Sequence, residues 1–168
     1  VLEAVAKGMC QEGLPLTGVL YGGLMKTAQG VKVIEFNARF GDPETEVVLP
    51  RLKSDAIDVF MAVASNEQPA AEWSEGATLG IVLASKGYPG DYTKGHIIRG
   101  VENVESKVYH MGTAMKDGEL VTNGGRVMFV VAEAPTLREA QQKAMEDVER
   151  IECDNLFHRN DIGAKAFR

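Results

Sequence analysis

Apolar positions along this chain follow two rhythms, one of helical period and one alternating. Val1, Leu2, Val5 and Met9 recur at helical spacing and predict an opening helix, with Gly13 as its stop. Gly18–Met25 and Val31–Phe40 then read as two strands joined by a turn at Ala28-Gln29-Gly30. Asp42 is expected to cap a helix whose first position is Pro43, since proline lacks only an N–H that has no partner there. Pro50 should break or bend that helix. A second helix is expected from a Ser54 cap, burying Ile57, Phe60, Met61 and Ala64.

Between Ser65 and Gly76 the chain is polar, holds Pro69 and has weak periodicity, which suggests a boundary. The expected organisation is an α+β piece over residues 1–66, a linker over 67–76 and a β-rich domain over 77–168. In that last part, Thr78–Ala84, Gly95–Ile98, Lys107–Met111, Glu119–Thr122 and Arg126–Ala132 read as strands separated by Gly-rich turns. A final helix opens on a Thr136/Glu139 capping-box pattern and buries a stripe of Leu137, Ala140, Ala144, Val148 and Ile151. The run Asn123-Gly124-Gly125 is a strong hairpin signal.

Composition narrows the function classes. Of 168 residues, 45% are apolar and 25% charged, the profile of a globular protein with a core. No apolar run approaches the ~20 residues that span a bilayer, so no membrane partner is expected. A net charge of −6 argues against a broad nucleic-acid face, which needs clustered Lys and Arg. Cys10 and Cys153 lack metal-ligand spacing and read as reduced packing thiols, with the cytoplasm as the expected compartment. The chain starts at Val1 inside helix-like sequence and reads as a piece of a longer protein.

Candidate chemistry lies on the second strand. Alternate side chains of a strand share a face. Ile34, Phe36, Ala38 and Phe40 fall on one side, and Glu35, Asn37 and Arg39 on the other, ~7 Å between successive members. A hard cation such as Mg²⁺ takes oxygen ligands and shares its shell with phosphates and water. Glu35 would supply charge, and the Asn37 carbonyl a neutral ligand that adds no repulsion toward a triphosphate. Arg39 would stabilise oxygens on which charge develops. Taken alone, the Glu-x-Asn-x-Arg spacing also describes an ordinary polar strand face.

The residues that follow favour the chemical reading. The run Arg39-Phe40-Gly41-Asp42-Pro43-Glu44-Thr45-Glu46-Val47-Val48-Leu49 resembles the signature of the phosphoribosylamine–glycine ligase (glycinamide ribonucleotide synthetase) family of the ATP-grasp superfamily. Further landmarks of that family follow in order: Lys86-Gly87-Tyr88-Pro89-Gly90 with Tyr92 and Lys94-Gly95, then His110-Met111-Gly112-Thr113, Thr122-Asn123-Gly124-Gly125-Arg126-Val127, and Arg159-Asn160-Asp161-Ile162-Gly163. The resemblance implies the C-terminal part of an ATP-grasp fold, an antiparallel sheet with helices, followed by a small β-rich domain. It implies ligation of glycine to 5-phosphoribosylamine through glycyl phosphate, with ATP as co-substrate and Mg²⁺ or Mn²⁺ as metal. Glu35 and Asn37 correspond to the family's metal ligands, and Arg39 sits where it could meet a carboxylate or the transferring phosphate.

Asp42 and Glu44 could orient the amine or the ribose hydroxyls, or could simply be acids favoured at a helix start. Lys86, Lys94 and Arg126 are candidate phosphate contacts beside Gly-rich turns, or else surface cations. His110 has no Ser or Cys partner in a triad pattern. The sequence holds no Gly-x-x-x-x-Gly-Lys-Ser/Thr loop and no Gly-x-Gly-x-x-Gly run. By the resemblance, adenine and phosphate contacts come largely from segments upstream of the metal strand, so the missing N-terminal part is an expected partner and this piece alone is expected to be inactive. Two alternatives stand beside this reading: another ATP-grasp carboxylate–amine ligase, and a non-catalytic sugar-phosphate-binding module.

Overall fold

The structure, a computed structural model, describes residues 1–167 and divides into two compact units, Val1–Ser74 and a second from Glu75 onward. In the first, helix α1 (Leu2–Gln11) ends as expected near Gly13, whose φ of 75° turns the chain; Leu14 N–H then closes on Met9 O at 2.9 Å. Strands β1 (Tyr21–Thr27) and β2 (Gly30–Asn37) form an antiparallel hairpin around Ala28 and Gln29. The pairing slips between Gly23 and Leu24, since Gly23 faces Glu35 whereas Leu24 faces Val33. Ile34 is thus the extra residue of a bulge.

Several expectations for this unit need correction. β2 stops at Asn37, so Arg39 and Phe40 lie beyond the ladder. The helix after the signature run, α2 (Thr45–Val48), starts past Pro43 and has no side-chain cap; Asp42 does not cap it. Gly41 O instead accepts from both the Thr45 N–H and its hydroxyl, which starts the turn later. A 3₁₀ turn at Leu49–Arg51 contains Pro50 and ends α2. Helix α3 (Ala56–Ala64) is capped by Asp55, whose carboxylate accepts from Ile57 N and Asp58 N. Ser54 is otherwise engaged, donating to Ala70 O and accepting from Glu72 N. The expected buried face of α3 is open, with Ile57 71% and Met61 60% exposed. Gly41 is the only buried residue among the described residues of this unit.

The second unit has a core of its own. A four-stranded antiparallel sheet runs β4-β7-β3-β8, formed by β3 (Ala77–Ser85), β4 (Lys107–His110), β7 (Arg126–Ala134) and β8 (Leu156–Phe157). A separate ladder pairs β5 (Thr113–Lys116) with β6 (Glu119–Thr122). Ile81, Val127, Met128 and Val130 are fully buried, and helix α4 (Leu137–Val148) covers them with Ala140, Ala144 and Val148. The Thr136/Glu139 capping box is present. Leu137 and Ile151 complete the expected stripe as partly buried neighbours.

Two strand-level expectations change here. Residues 95–98 are not a strand but an extended segment beside β6, with Ile98 N donating to Leu120 O and Thr122 N to His96 O. The Asn123-Gly124-Gly125 run does not close a hairpin, because β6 and β7 belong to different sheets. It crosses between them instead, with Asn123 N donating to Gly112 O and Ser85 N to Gly125 O. Gly112 and Gly124 approach so closely that a Cβ on Gly112 would lie 2.7 Å from the Gly124 Cα.

Candidate functional site

In the first unit the hairpin places Glu35 and Asn37 on one face, as the alternation requires. Their side chains meet, with Asn37 Nδ2 donating to Glu35 Oε1 at 3.1 Å. That bond engages the amide nitrogen and one Glu35 oxygen, and leaves the Asn37 carbonyl oxygen and the second Glu35 oxygen outside it. A carboxylate and a carboxamide oxygen are the donor set that a hard divalent cation accepts. Gly23 lies directly across from Glu35, and a Cβ there would sit 3.2 Å from Glu35 Cγ. The absence of a side chain on β1 thus makes room for the acid.

Arg39 is not the third member of this row. It follows the end of β2, and its Nη1 donates to the adjacent Phe40 O at 2.8 Å. Glu44 folds back over Gly41, so that a Cβ on that glycine would overlap its carboxylate. Sequence reasoning passed over Tyr21, which pairs with Asn37 across the ladder and lines a hollow with Glu44. Burial, then the charge and hydrogen bond of Glu44, then the charge of Glu35, push its phenol above its ordinary pKa. It therefore remains a protonated donor at neutral pH. Asp42 is exposed in the same turn. An apolar hollow of about 530 Å³ lies beside Phe40, Phe60 and Val63, with the two phenylalanine rings 5.8 Å apart.

In the second unit, most of the family landmarks gather at one end of the sheet. β3 ends at Ser85, β7 begins at Arg126 opposite Ala84, and His110 ends β4 opposite Met128. The Tyr88 and Tyr92 rings stand edge to face at 6.3 Å, and Tyr88 lies where a Cβ on Gly125 would be. Lys86 Nζ donates to Asp154 O at 2.6 Å. Asn155, 8% exposed, joins two segments that carry candidate lysines: its carbonyl accepts from Lys86 N and its amide donates to Thr93 O, next to exposed Lys94. No motif pointed to Asn155. His110 Nδ1 is paired with Thr113 Oγ1 at 2.9 Å. A separate hollow of about 340 Å³ is lined by His96, Arg99, Glu152 and Cys153, and none of the candidate cations reaches it.

The remaining landmark, Arg159–Gly163, is a turn tied to α4: Arg159 forms a two-pronged pair with Asp161, and Ile162 O accepts from Gln141 Nε2 at 2.6 Å. Each ion of the Arg159–Asp161 pair holds the other in its charged form, raising the guanidinium pKa and lowering that of the carboxyl, chiefly through the hydrogen bonds between them. Among the described residues no cluster of three or more His, Cys, Asp or Glu could hold a metal by itself, and both cysteines are free. No helix among them is long and apolar enough to cross a membrane.

Comparison with known proteins decides the family. Residues 78–165 match the family profile described as phosphoribosylglycinamide synthetase, C domain, and residues 1–45 match that of its ATP-grasp (A) domain. The chain belongs to the phosphoribosylglycinamide synthetase family. A phosphoribosylamine–glycine ligase of Halalkalibacterium halodurans is 54% identical over 99% of this chain and 39% of its own length. One from Vibrio parahaemolyticus is 46% identical over 99% of this chain and 40% of its own. The chain thus spans about two fifths of these relatives. The crystal structure of phosphoribosylamine–glycine ligase from Thermotoga maritima superposes with a TM-score of 0.82 at 35% identity, covering 94% of this chain and 40% of that one. A biotin carboxylase domain of Hydrogenobacter thermophilus 2-oxoglutarate carboxylase, 15% identical with a TM-score of 0.58, covers 93% of this chain and 36% of its own and shares the fold. This chain and the Thermotoga maritima ligase therefore share an α+β architecture of antiparallel sheets and helices.

Proposed function

We propose that this chain supplies one wall of the active site of an ATP-dependent ligase that joins glycine to 5-phosphoribosylamine in purine biosynthesis. The observation that carries the reading is the Glu35–Asn37 pair, oriented by its own hydrogen bond and given room by Gly23. Glu35 and Asn37 would hold Mg²⁺ or Mn²⁺, which when bound neutralises charge on the nucleotide phosphates. A glycine carboxylate oxygen attacks the γ-phosphorus of ATP, and ADP leaves. The amine nitrogen of phosphoribosylamine then attacks the acyl carbon of glycyl phosphate, inorganic phosphate leaves, and the nitrogen gives up a proton.

In this reading Arg39 stabilises the oxygens of the transferring phosphate, from a position just past the strand. Asp42 and Glu44 receive the amine or the ribose hydroxyls. Lys86, Lys94 and Arg126 bind the sugar phosphate, the Asn155 bonds joining the segments that carry the two lysines. The proposed setting is the cytoplasm, with the rest of the ligase polypeptide supplying the other nucleotide contacts.

The test is a coupled ADP-release assay on the complete ligase, titrating Mg²⁺ against wild type and Glu35→Ala. The expected result is a rise of at least about 100-fold in the Mg²⁺ requirement, with turnover reduced. Turnover and Mg²⁺ dependence indifferent to Glu35→Ala would remove the metal assignment.

A further inference from the structure

The loop 86–94 leaves the end of β3 and runs into the extended segment 95–98, with a candidate lysine at each of its ends. It folds tightly on itself: Tyr88 N donates to Ser85 O at 3.0 Å, and Gly90 N to Gly87 O at 2.8 Å. Both ends are held by Asp154 and Asn155, just ahead of β8. Asn155 O accepts from Lys86 N at 2.9 Å, Asp154 O accepts from Lys86 Nζ at 2.6 Å, and Asn155 Nδ2 donates to Thr93 O at 3.2 Å. β8 in turn pairs with β3, Leu156 opposite Ser85, so the clamp is anchored on the strand from which the loop departs. The Thr93 hydroxyl is paired with His96 Nε2 at 2.7 Å, a local contact that does not tie this end to Lys86. Asn155 itself is buried, where an amide is expected to have a partner.

We propose that Asn155 is a positioning residue for the phosphate-bearing substrate, clamping the two ends of the loop 86–94 so that Lys86 and Lys94 meet one phosphate monoester. The inference rests on the ligase reading above. The backbone of Asn155 holds one end of the loop and its short amide donor the other, which fixes the separation of Lys86 and Thr93. Lys94 follows Thr93 directly and is exposed. An ammonium has three donors; Lys86 places one on Asp154 O, which sets its head, and the others can meet phosphate oxygens. Without the clamp, the chain at Thr93 has to be ordered each time the phosphate binds, which weakens binding. The phosphate of phosphoribosylamine takes no part in the bond that forms, so its contacts lower KM and leave the chemical step alone.

The experiment is steady-state kinetics of the complete ligase with Asn155→Ala, Lys94→Ala and both together, each substrate varied in turn. In Asn155→Ala, KM for phosphoribosylamine is expected to rise about three- to tenfold, the scale of one neutral hydrogen bond, while kcat and KM for glycine and Mg²⁺-ATP change less than about twofold. Partial unfolding lowers the maximal rate and leaves every KM untouched, so a weakened fold does not imitate this split. Asn155→Leu repeats the measurement with the side-chain volume kept. The double variant should match Lys94→Ala alone, because the amide acts through the Lys94 end of the loop. Equal rises in all three KM values, an unchanged amine KM in both Asn155 variants, or effects that multiply in the double variant would each overturn the proposal. Failure of both Asn155 variants to fold would mark the amide as structural and overturn it likewise. ADP release by the wild type that ignores phosphoribosylamine removes the ligase reading itself, whereas a raised amine KM in Lys94→Ala with an unchanged one in Asn155→Ala removes only the role of Asn155.

Discussion

Asp147 makes the strongest stability prediction. It lies on α4 with 1% of its surface exposed, and its two oxygens bind separate donors. Oδ1 accepts from Glu105 N at 3.2 Å and Arg150 Nη1 at 2.9 Å, while Oδ2 accepts from Ser106 N at 2.8 Å. The same Arg150 nitrogen reaches Asn103 O and Glu105 Oε1, so helix and loop are joined twice. Asp147→Asn keeps one carbonyl acceptor and turns an NH₂ donor toward a backbone N–H or the guanidinium. One buried amide then lacks a partner and the charge on Arg150 loses its buried counter-ion. Each hydrogen bond to a charged group is worth about 1.5–3 kcal/mol, and Arg150 retains water and Glu105, so the expected loss is about 2–4 kcal/mol.

The pH dependence of this contribution has a definite sign. Burial alone would raise the Asp147 pKa; the neighbouring Ser106 hydroxyl, the Glu105 and Ser106 N–H groups and Arg150 outweigh it and hold the carboxyl below its ordinary value. A depressed native pKa stabilises the fold at pH values above the unfolded value of about 3.9, and that contribution fades as pH falls through the native value. Urea denaturation followed by far-UV circular dichroism suits the measurement, because the single tryptophan, Trp73, reports on the first unit. The gap between wild type and Asp147→Asn should be flat from pH 7 to about 5 and shrink below about 4. A gap under about 0.5 kcal/mol at pH 7, or one that widens in acid, would refute the reasoning.

Two further outcomes follow from local geometry. Thr136→Ala removes the hydroxyl that accepts from Glu139 N at 3.3 Å and donates to Glu139 Oε2 at 2.7 Å, and should cost about 1 kcal/mol, read as a fall of roughly 4–8 °C in the melting transition of the second unit. Gly23→Ala puts a methyl against Glu35 Cγ and should raise the Mg²⁺ requirement of the complete ligase by about three- to tenfold, read by the ADP-release titration, with little change in melting temperature.

The sequence reading succeeded where the determinants are local. The helical stripe and capping box of α4 are set by spacings of three and four residues, and the placement of Glu35 beside Asn37 by the two-residue period of a strand. It failed where a distant partner decides. Ser54 is a good cap by type, but Ala70 and Glu72 occupy its hydroxyl and Asp55 takes the role. Asn123-Gly124-Gly125 has hairpin chemistry, but Gly112 and Ser85 claim its backbone groups and send it between two sheets. Arg39 fell outside the expected row because β2 ends at Asn37, which no residue in the run announces. Tyr21 and Asn155 were missed for the same reason: each matters through a partner far along the chain.

Burial differs between the two units. Every buried apolar side chain of the core lies at Leu79 or beyond, whereas on the hairpin Val31, Val33 and Ile34 are each about half exposed or more. On the hairpin the Asn37–Glu35 bond orients the two side chains, with Gly23 leaving the space that Glu35 needs. Asn37 therefore serves as both proposed ligand and structural brace. Its removal would subtract an oxygen and release Glu35 at once, and the resulting loss would overstate the worth of the amide as a ligand. Glu35, which accepts that bond and does not donate one, offers the cleaner separation of chemistry from support.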